Sequence, residues 1–290
     1  MTIAAVSRQD WRTSKPLASN RRRSLTRLFF VAAVLIAALT AAGVFSQARA
    51  QTTDSQSLCA PVVPCSDPRG CPDLVVDADS LAQSWYVRNF NFKETDCTVI
   101  EGEVLAGRRR LIRFDSTTPN LGPGALIIGD PFDHPEWFDL VTCHHHQHFK
   151  EYADYRLWTP QGYAIWQSLR AASPGLCARD ILAAHPELAS QMVGGHKQGW
   201  CVVDLILEGP PLCSATPDPS TYFDCSNQGL GVCWADQYWA GLDGQWVDVT
   251  DLPNGDYVLE DEVNAEHFFK EADYSNNSSA VPVRIGRSRR

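Results

Sequence analysis

Ten cysteines, at positions 59, 65, 71, 97, 143, 177, 201, 213, 225 and 233, set the tightest limit on how this chain folds. The number is even, and all ten follow a segment that reads as an export leader. Such a set implies up to five disulfides closed in an oxidising compartment, bracing loops that a hydrophobic core alone would leave loose. Thiolate metal sites are the alternative, but no CxxC pair occurs anywhere in the chain.

The leader occupies residues 1–50. Arg21, Arg22, Arg23 and Arg27 precede an apolar run from Leu28 to Phe45, and Ala48-Arg49-Ala50 supplies the small-x-small pattern of a cleavage site. The expectation is a signal peptide and an exported protein, periplasmic or extracellular. An uncleaved membrane anchor is the other reading, since the run is nearly long enough to span a bilayer. Loss of the leader removes eight of the 25 basic residues but one of the 34 acidic ones, leaving a net charge of −16. That balance argues against nucleic acid as a partner and favours cationic ligands.

About 240 residues remain, enough for a substantial core. Residues 51–71 are rich in Cys, Pro and Ser and read as a linker; 72–286 read as the folded domain, and 287–290 as a basic tail. Within the domain, short apolar stretches alternate with turn signals. Leu74–Val76, Ser84–Val87, Arg110–Phe114, Ala125–Ile128, Trp200–Val203, Gln245–Val249, Asp256–Leu259 and Val281–Ile285 all read as strands. Pro253-Asn254-Gly255-Asp256 is a tight-turn signal. Helix is expected only around Gly162–Ala172 and Ala178–Met192. The expected fold is mainly β: an antiparallel β-sandwich with long disulfide-braced loops and few short helices.

The sharpest chemical signal is Cys143-His144-His145-His146-Gln147-His148. In an extended segment alternate side chains share a face, so His144, His146 and His148 would converge while His145 and Gln147 point away. Three imidazoles suit copper, zinc, nickel or iron, and a set free of carboxylate and thiolate favours copper or zinc. A histidine-rich surface patch is the bland reading. The flanking Trp137, Phe138, Leu140, Val141, Phe149, Tyr152 and Tyr155 instead give the context of a folded strand near a core.

At this point the sequence resembles the lysyl oxidase catalytic domain. Pro135-Glu136-Trp137 followed by Cys143-His144-x-His146-x-His148 matches the family's copper motif. Pro72–Val75, Arg110–Phe114, Gly195-His196-Lys197-x-x-x-Cys201, Gln245–Asp251, Gly255–Leu259 and Asp273–Asn277 follow in the family's order, covering about residues 72–286. The resemblance implies copper on His144, His146 and His148, and a lysine tyrosylquinone cofactor made from Lys197 and Tyr238. Lys197 is carried over by its Gly-His-Lys context, and Tyr238 because it stands seven residues before Gln245-Trp246. The implied reaction is oxidative deamination of primary amines, peptidyl lysine among them, by molecular oxygen, releasing aldehyde, ammonia and hydrogen peroxide. The lysine amine adds to an oxidised ring only when neutral, and burial near a metal lowers a lysine pKa.

The chain departs from the family pattern in three places. The family's His-Tyr-Asp segment after the copper strand reads Asp154-Tyr155-Arg156, one residue closer to His148, which makes Asp154 the candidate proton-abstracting base. Gly244 stands where the family has a cysteine before Gln-Trp, and the N-terminal cysteines do not follow the animal pattern. By analogy the resemblance implies disulfides Cys143–Cys225 and Cys201–Cys213, with Cys177 substituting as partner of Cys233. The leader's bacterial style points to a bacterial-type member and away from collagen as substrate. The competing reading is a secreted copper- or zinc-binding module without a redox cofactor, which needs the three histidines but not Lys197 beside Tyr238. A hydrolytic zinc enzyme would need a base in an arrangement such as HExxH, which is absent.

Overall fold

The computed structural model describes residues 59–286 except 142, 144–145, 198–199 and 220–222, and the side chains of 140, 141, 146, 196 and 197 also fall outside the description. The expected leader and basic tail lie outside the described residues. None of the described helices is long and apolar enough to cross a membrane.

Helix α1 (Ala78–Ser84) starts at Asp77, whose carboxylate accepts from the N–H groups of Asp79 and Ser80. Strand β1 (Tyr86–Phe92) pairs with β2 (Gly107–Arg113) across the short helix α2 (Cys97–Ile100), and β12 (Trp246–Asp248) closes that sheet. Strands β4 (Leu126–Gly129) and β10 (Gln228–Leu230) pair, as do β5 (Phe138–Val141) and β6 (His146–Phe149). A third sheet runs β3 (Ser116–Pro119), β11 (Trp234–Tyr238), β9 (Ile206–Leu207). The largest has the order β14 (Ser278–Ile285), β13 (Gly255–Val263), β7 (Ala153–Trp158), β8 (Met192–Lys197). Every pairing among these strands is antiparallel. The fold is therefore mainly β with few short helices, as expected.

The large sheet divides its side chains between two environments by simple alternation. On β7, Ala153, Tyr155 and Leu157 enter the main core, where Tyr155 meets Phe114 edge to face at 4.8 Å. Asp154, Arg156 and Trp158 point to the other face, which α3 (Pro160–Ala172) and α4 (Ala178–Ala184) cover. A charge network is buried there. Arg156 pairs with Asp154 at 2.8 Å and Glu262 at 2.5 Å, Glu262 also holds Arg170, and Glu260 accepts from the indoles of Trp158 and Trp166. Each buried charge thus meets an opposite charge or a hydrogen-bond donor, which burial demands. The predicted second helix ends early, at Ala184, because Pro186 cannot continue it; a 3-10 turn, Pro186–Gln191, follows.

The cysteines form five disulfides, but not the expected ones. Cys143 pairs with Cys97 rather than Cys225, Cys201 with Cys225 rather than Cys213, and Cys233 with Cys213 rather than Cys177. Cys177 joins Cys59, and Cys65 joins Cys71. The reasons lie in the chain's course. Asp224 builds a tight turn by accepting from the N–H groups of Ser226 and Asn227, and β10 leaving that turn bonds Val202, which carries Cys225 to Cys201. Cys213 is left to Cys233, whose carbonyl is bonded to Glu208 nearby. Among the described residues, Cys59, Cys177 and Asp180 cluster as metal ligands would, but both sulfurs are used in their bridge. The stretch from 59 to 71 packs on the body: Val63 bridges to Phe269, and Asp67 accepts from the Ala125 N–H.

Candidate active site

The histidine segment is a strand from His146 onward, as its alternation predicts. In β6, position 146 lies opposite Val141 of β5 and position 148 opposite Asp139, so 146 and 148 share a face of the ladder. His148 is buried, 4 % exposed. His144 and His145 lie outside the described residues, as does the side chain of His146. The donor chemistry fits copper: alternate histidines in the sequence, an extended strand from His146, and a buried imidazole at His148. The Cys97–Cys143 bridge anchors the approach to this strand.

Tyr238 ends β11, buried to 2 % exposure. Its hydroxyl reaches the Cys201 carbonyl at 3.4 Å, and its ring meets Tyr152 edge to face with centroids 5.8 Å apart. Burial, and next the negative charge of Asp236, hold its phenol well above the ordinary tyrosine range. Tyr152 is raised in the same way, and its hydroxyl shares a 2.6 Å hydrogen bond with Thr118.

Tyr152 joins the parts of this site. Its ring contacts Phe149, the residue after His148, and also Tyr238. Its chain neighbour Ala153 is the register partner of Lys197. The lysine's side chain lies outside the described residues, but its backbone position is one strand away from this aromatic chain. Four residues further on, the Cys201 carbonyl is the one the Tyr238 hydroxyl reaches. Gln228 adds a second tie that sequence reasoning missed. Fully buried, it accepts from the Val202 N–H at 3.0 Å and donates to the Gln147 carbonyl at 3.4 Å, bridging the histidine strand to the segment after the lysine.

Asp154 is not part of this convergence. It lies opposite His196 and Glu262 in register, on the face of β7 turned away from Tyr155, and holds Arg156. The carboxylate beside Tyr238 is Asp236, two residues earlier on β11 and therefore on the same face. Its only sequence signal is that alternation. Next to Tyr238, whose register partner is Ser116, the residues Ser116, Tyr155, Gln245 and Asp261 form a buried polar group in which Tyr155 donates to Gln245 at 2.8 Å. Burial raises Asp261 to about 7, opposed by the Ser116 hydroxyl. A separate cleft of about 530 Å³, lined by Arg170, Leu176, His267 and Tyr274 among others, shares none of these residues.

The comparisons with known proteins include Lys197 and Tyr238 in the stretch that the family model matches, but not the histidine strand. The family model for lysyl oxidase matches residues 174–288. Lysyl oxidase homolog 2 of Mus musculus is 28% identical over 228 residues, 74% of this chain and 24% of that protein. The human homolog 2 is 29% identical over 229 residues, with the same coverage. Human protein-lysine 6-oxidase is 26% identical over 228 residues, 74% of this chain and 46% of that protein. The chain thus spans about a quarter of the first relatives and just under half of the last.

Proposed function

We propose that the chain is a member of the lysyl oxidase family, to whose model and proteins it is similar, and that it is a copper-dependent amine oxidase that deaminates primary amines. Peptidyl lysine is the leading substrate class and molecular oxygen the acceptor. The products are an aldehyde, ammonia and hydrogen peroxide, and export places the enzyme outside the cytoplasm. His144, His146 and His148 hold the copper, and Lys197 and Tyr238 are the precursors of a lysine tyrosylquinone. When bound, copper and the quinone together supply the two-electron oxidation of the amine. The observation that carries the reading is the aromatic contact chain Phe149–Tyr152–Tyr238, which joins the residue after His148 to Tyr238, with Ala153 in register against Lys197.

The chain's own residues do the rest. The low-dielectric wall of Phe149, Tyr152 and Phe269 keeps water from the Tyr238 ring and fixes its tilt. The Cys201–Cys225 bridge and Gln228 hold the lysine segment and the histidine strand at a constant separation, the positioning that proximity catalysis requires. The mature surface, with its net −16, draws cationic amines toward the site. Asp154, engaged by Arg156 on the helix-covered face of β7, is assigned to holding that arginine rather than to proton transfer.

The test is peroxide release from a lysine-containing peptide and from a simple alkylamine by copper-loaded protein. Parent protein should release peroxide, and Lys197→Arg and Tyr238→Phe should fold, bind copper and release none. Stoichiometric copper binding without peroxide from the parent would favour the secreted metal-binding module instead.

A further inference from the structure

Resting on that reading, we propose that Asp236 is the base that takes the phenol proton of Tyr238 when the cofactor is made. Asp236 and Tyr238 stand two residues apart on β11, so their side chains leave the same face of the strand. Asp236 is 1 % exposed, and both its carboxylate oxygens are buried. In register it lies opposite Thr118, whose hydroxyl is bonded to the Tyr152 phenol, and Tyr152 in turn abuts the Tyr238 ring. The carboxylate therefore sits inside the wall that encloses the phenol.

The chemistry needs such a group. A buried phenol does not ionise on its own near neutral pH, and burial together with the Asp236 charge holds this one well above its ordinary value. A carboxylate at the phenol's side favours the proton on oxygen at rest, and it is also the group placed to receive that proton when the ring gives it up. The step is a proton transfer alone. The Tyr238 O–H bond breaks, a carboxyl O–H bond forms on Asp236, and the electron pair remains on the phenolate oxygen. The later oxidation draws on copper and oxygen, the reactants already named. Asp154 is excluded from this step by its place on the opposite face of β7.

The experiment follows Lys197–Tyr238 cross-link formation by peptide mass spectrometry after adding copper to the full-length apoprotein in air-saturated buffer. Copper stoichiometry and melting temperature are measured alongside. Asp236→Asn should fold and bind one copper but form the cross-link at least ~100-fold more slowly than the parent, the size of effect a positioned base contributes. Asp236→Glu should recover part of the rate, which a purely structural role would not require. If Asp236→Asn fails to fold, Asp236→Thr, a good strand residue without charge, carries the same expectation. A neutral variant that cross-links at the parent rate overturns the proposal while leaving the proposed function intact. A copper-loaded parent that never cross-links overturns both.

Discussion

Asp261 provides a quantitative test of the core beside Tyr238. The residue is fully buried on β13, opposite Tyr155, and burial raises its carboxyl from 3.8 to about 7. Between those values the folded protein carries a proton that the unfolded chain has released, so stability falls as pH rises. Below the unfolded value both states are protonated and the effect vanishes; above the folded value the full cost is present. A shift of roughly three units corresponds to about 4 kcal/mol, an upper figure because water entry would soften it. Asp261→Asn keeps the shape and removes the charge. It should leave stability nearly unchanged at pH 4 and raise it by up to about 4 kcal/mol at pH 8, or roughly 10 °C for a domain of this size. Glu266, raised to about 7, and Glu271, raised to about 8, slope in the same direction in both proteins, so the difference between variant and parent isolates Asp261. Thermal melts of the pair at half-unit steps from pH 4 to 8 provide the curve. A difference that does not change with pH would refute the buried-acid argument.

Three other outcomes are expected. Gln228→Met keeps the volume but orphans the Val202 N–H and the Gln147 carbonyl; it should cost about 2 kcal/mol, seen by denaturant titration, and weaken copper binding measured by competition with a chelator. Glu271 accepts from the Leu74 N–H and from the side-chain amides of Asn264 and Asn277, so Glu271→Ala should lower stability by at least about 3 kcal/mol in thermal melts. Arg156→Met leaves Asp154, Glu260 and Glu262 without their shared cation and should destabilise by roughly 3–5 kcal/mol at neutral pH, with recovery on acidification as those carboxylates take up protons.

Much of the fold could be read from the sequence because its signals are local. The alternation after Cys143 predicts β6, the tight-turn signal at Pro253–Asp256 leads directly into β13, and the helix ending at Ala172 is found there. Other features depend on partners distant in sequence. Trp200–Val203 has the composition of a strand, yet its backbone is taken up by the Gln228 side chain and the Gly229 N–H, and no ladder forms. Ser84 closes helix α1, which Asp77 caps, before the strand begins at Tyr86. Spacing does not determine disulfide connectivity, and the turn at Asp224 reroutes three bridges at once. At the candidate site, Tyr238 stands out in the sequence by its distance from Gln245-Trp246, whereas Asp236 and Gln228 carry no motif and gain meaning only from the register of β11 and β10.

The central claim is that Lys197 and Tyr238 become one cofactor beside a copper ion. Mass spectrometry of proteolytic peptides from copper-loaded protein tests it most directly. The account predicts that the peptide holding Lys197 is covalently joined to the peptide holding Tyr238 in the parent, and that the two separate in Lys197→Arg and in protein kept free of copper. Recovery of both peptides unmodified from fully copper-loaded, oxygen-exposed parent would contradict it.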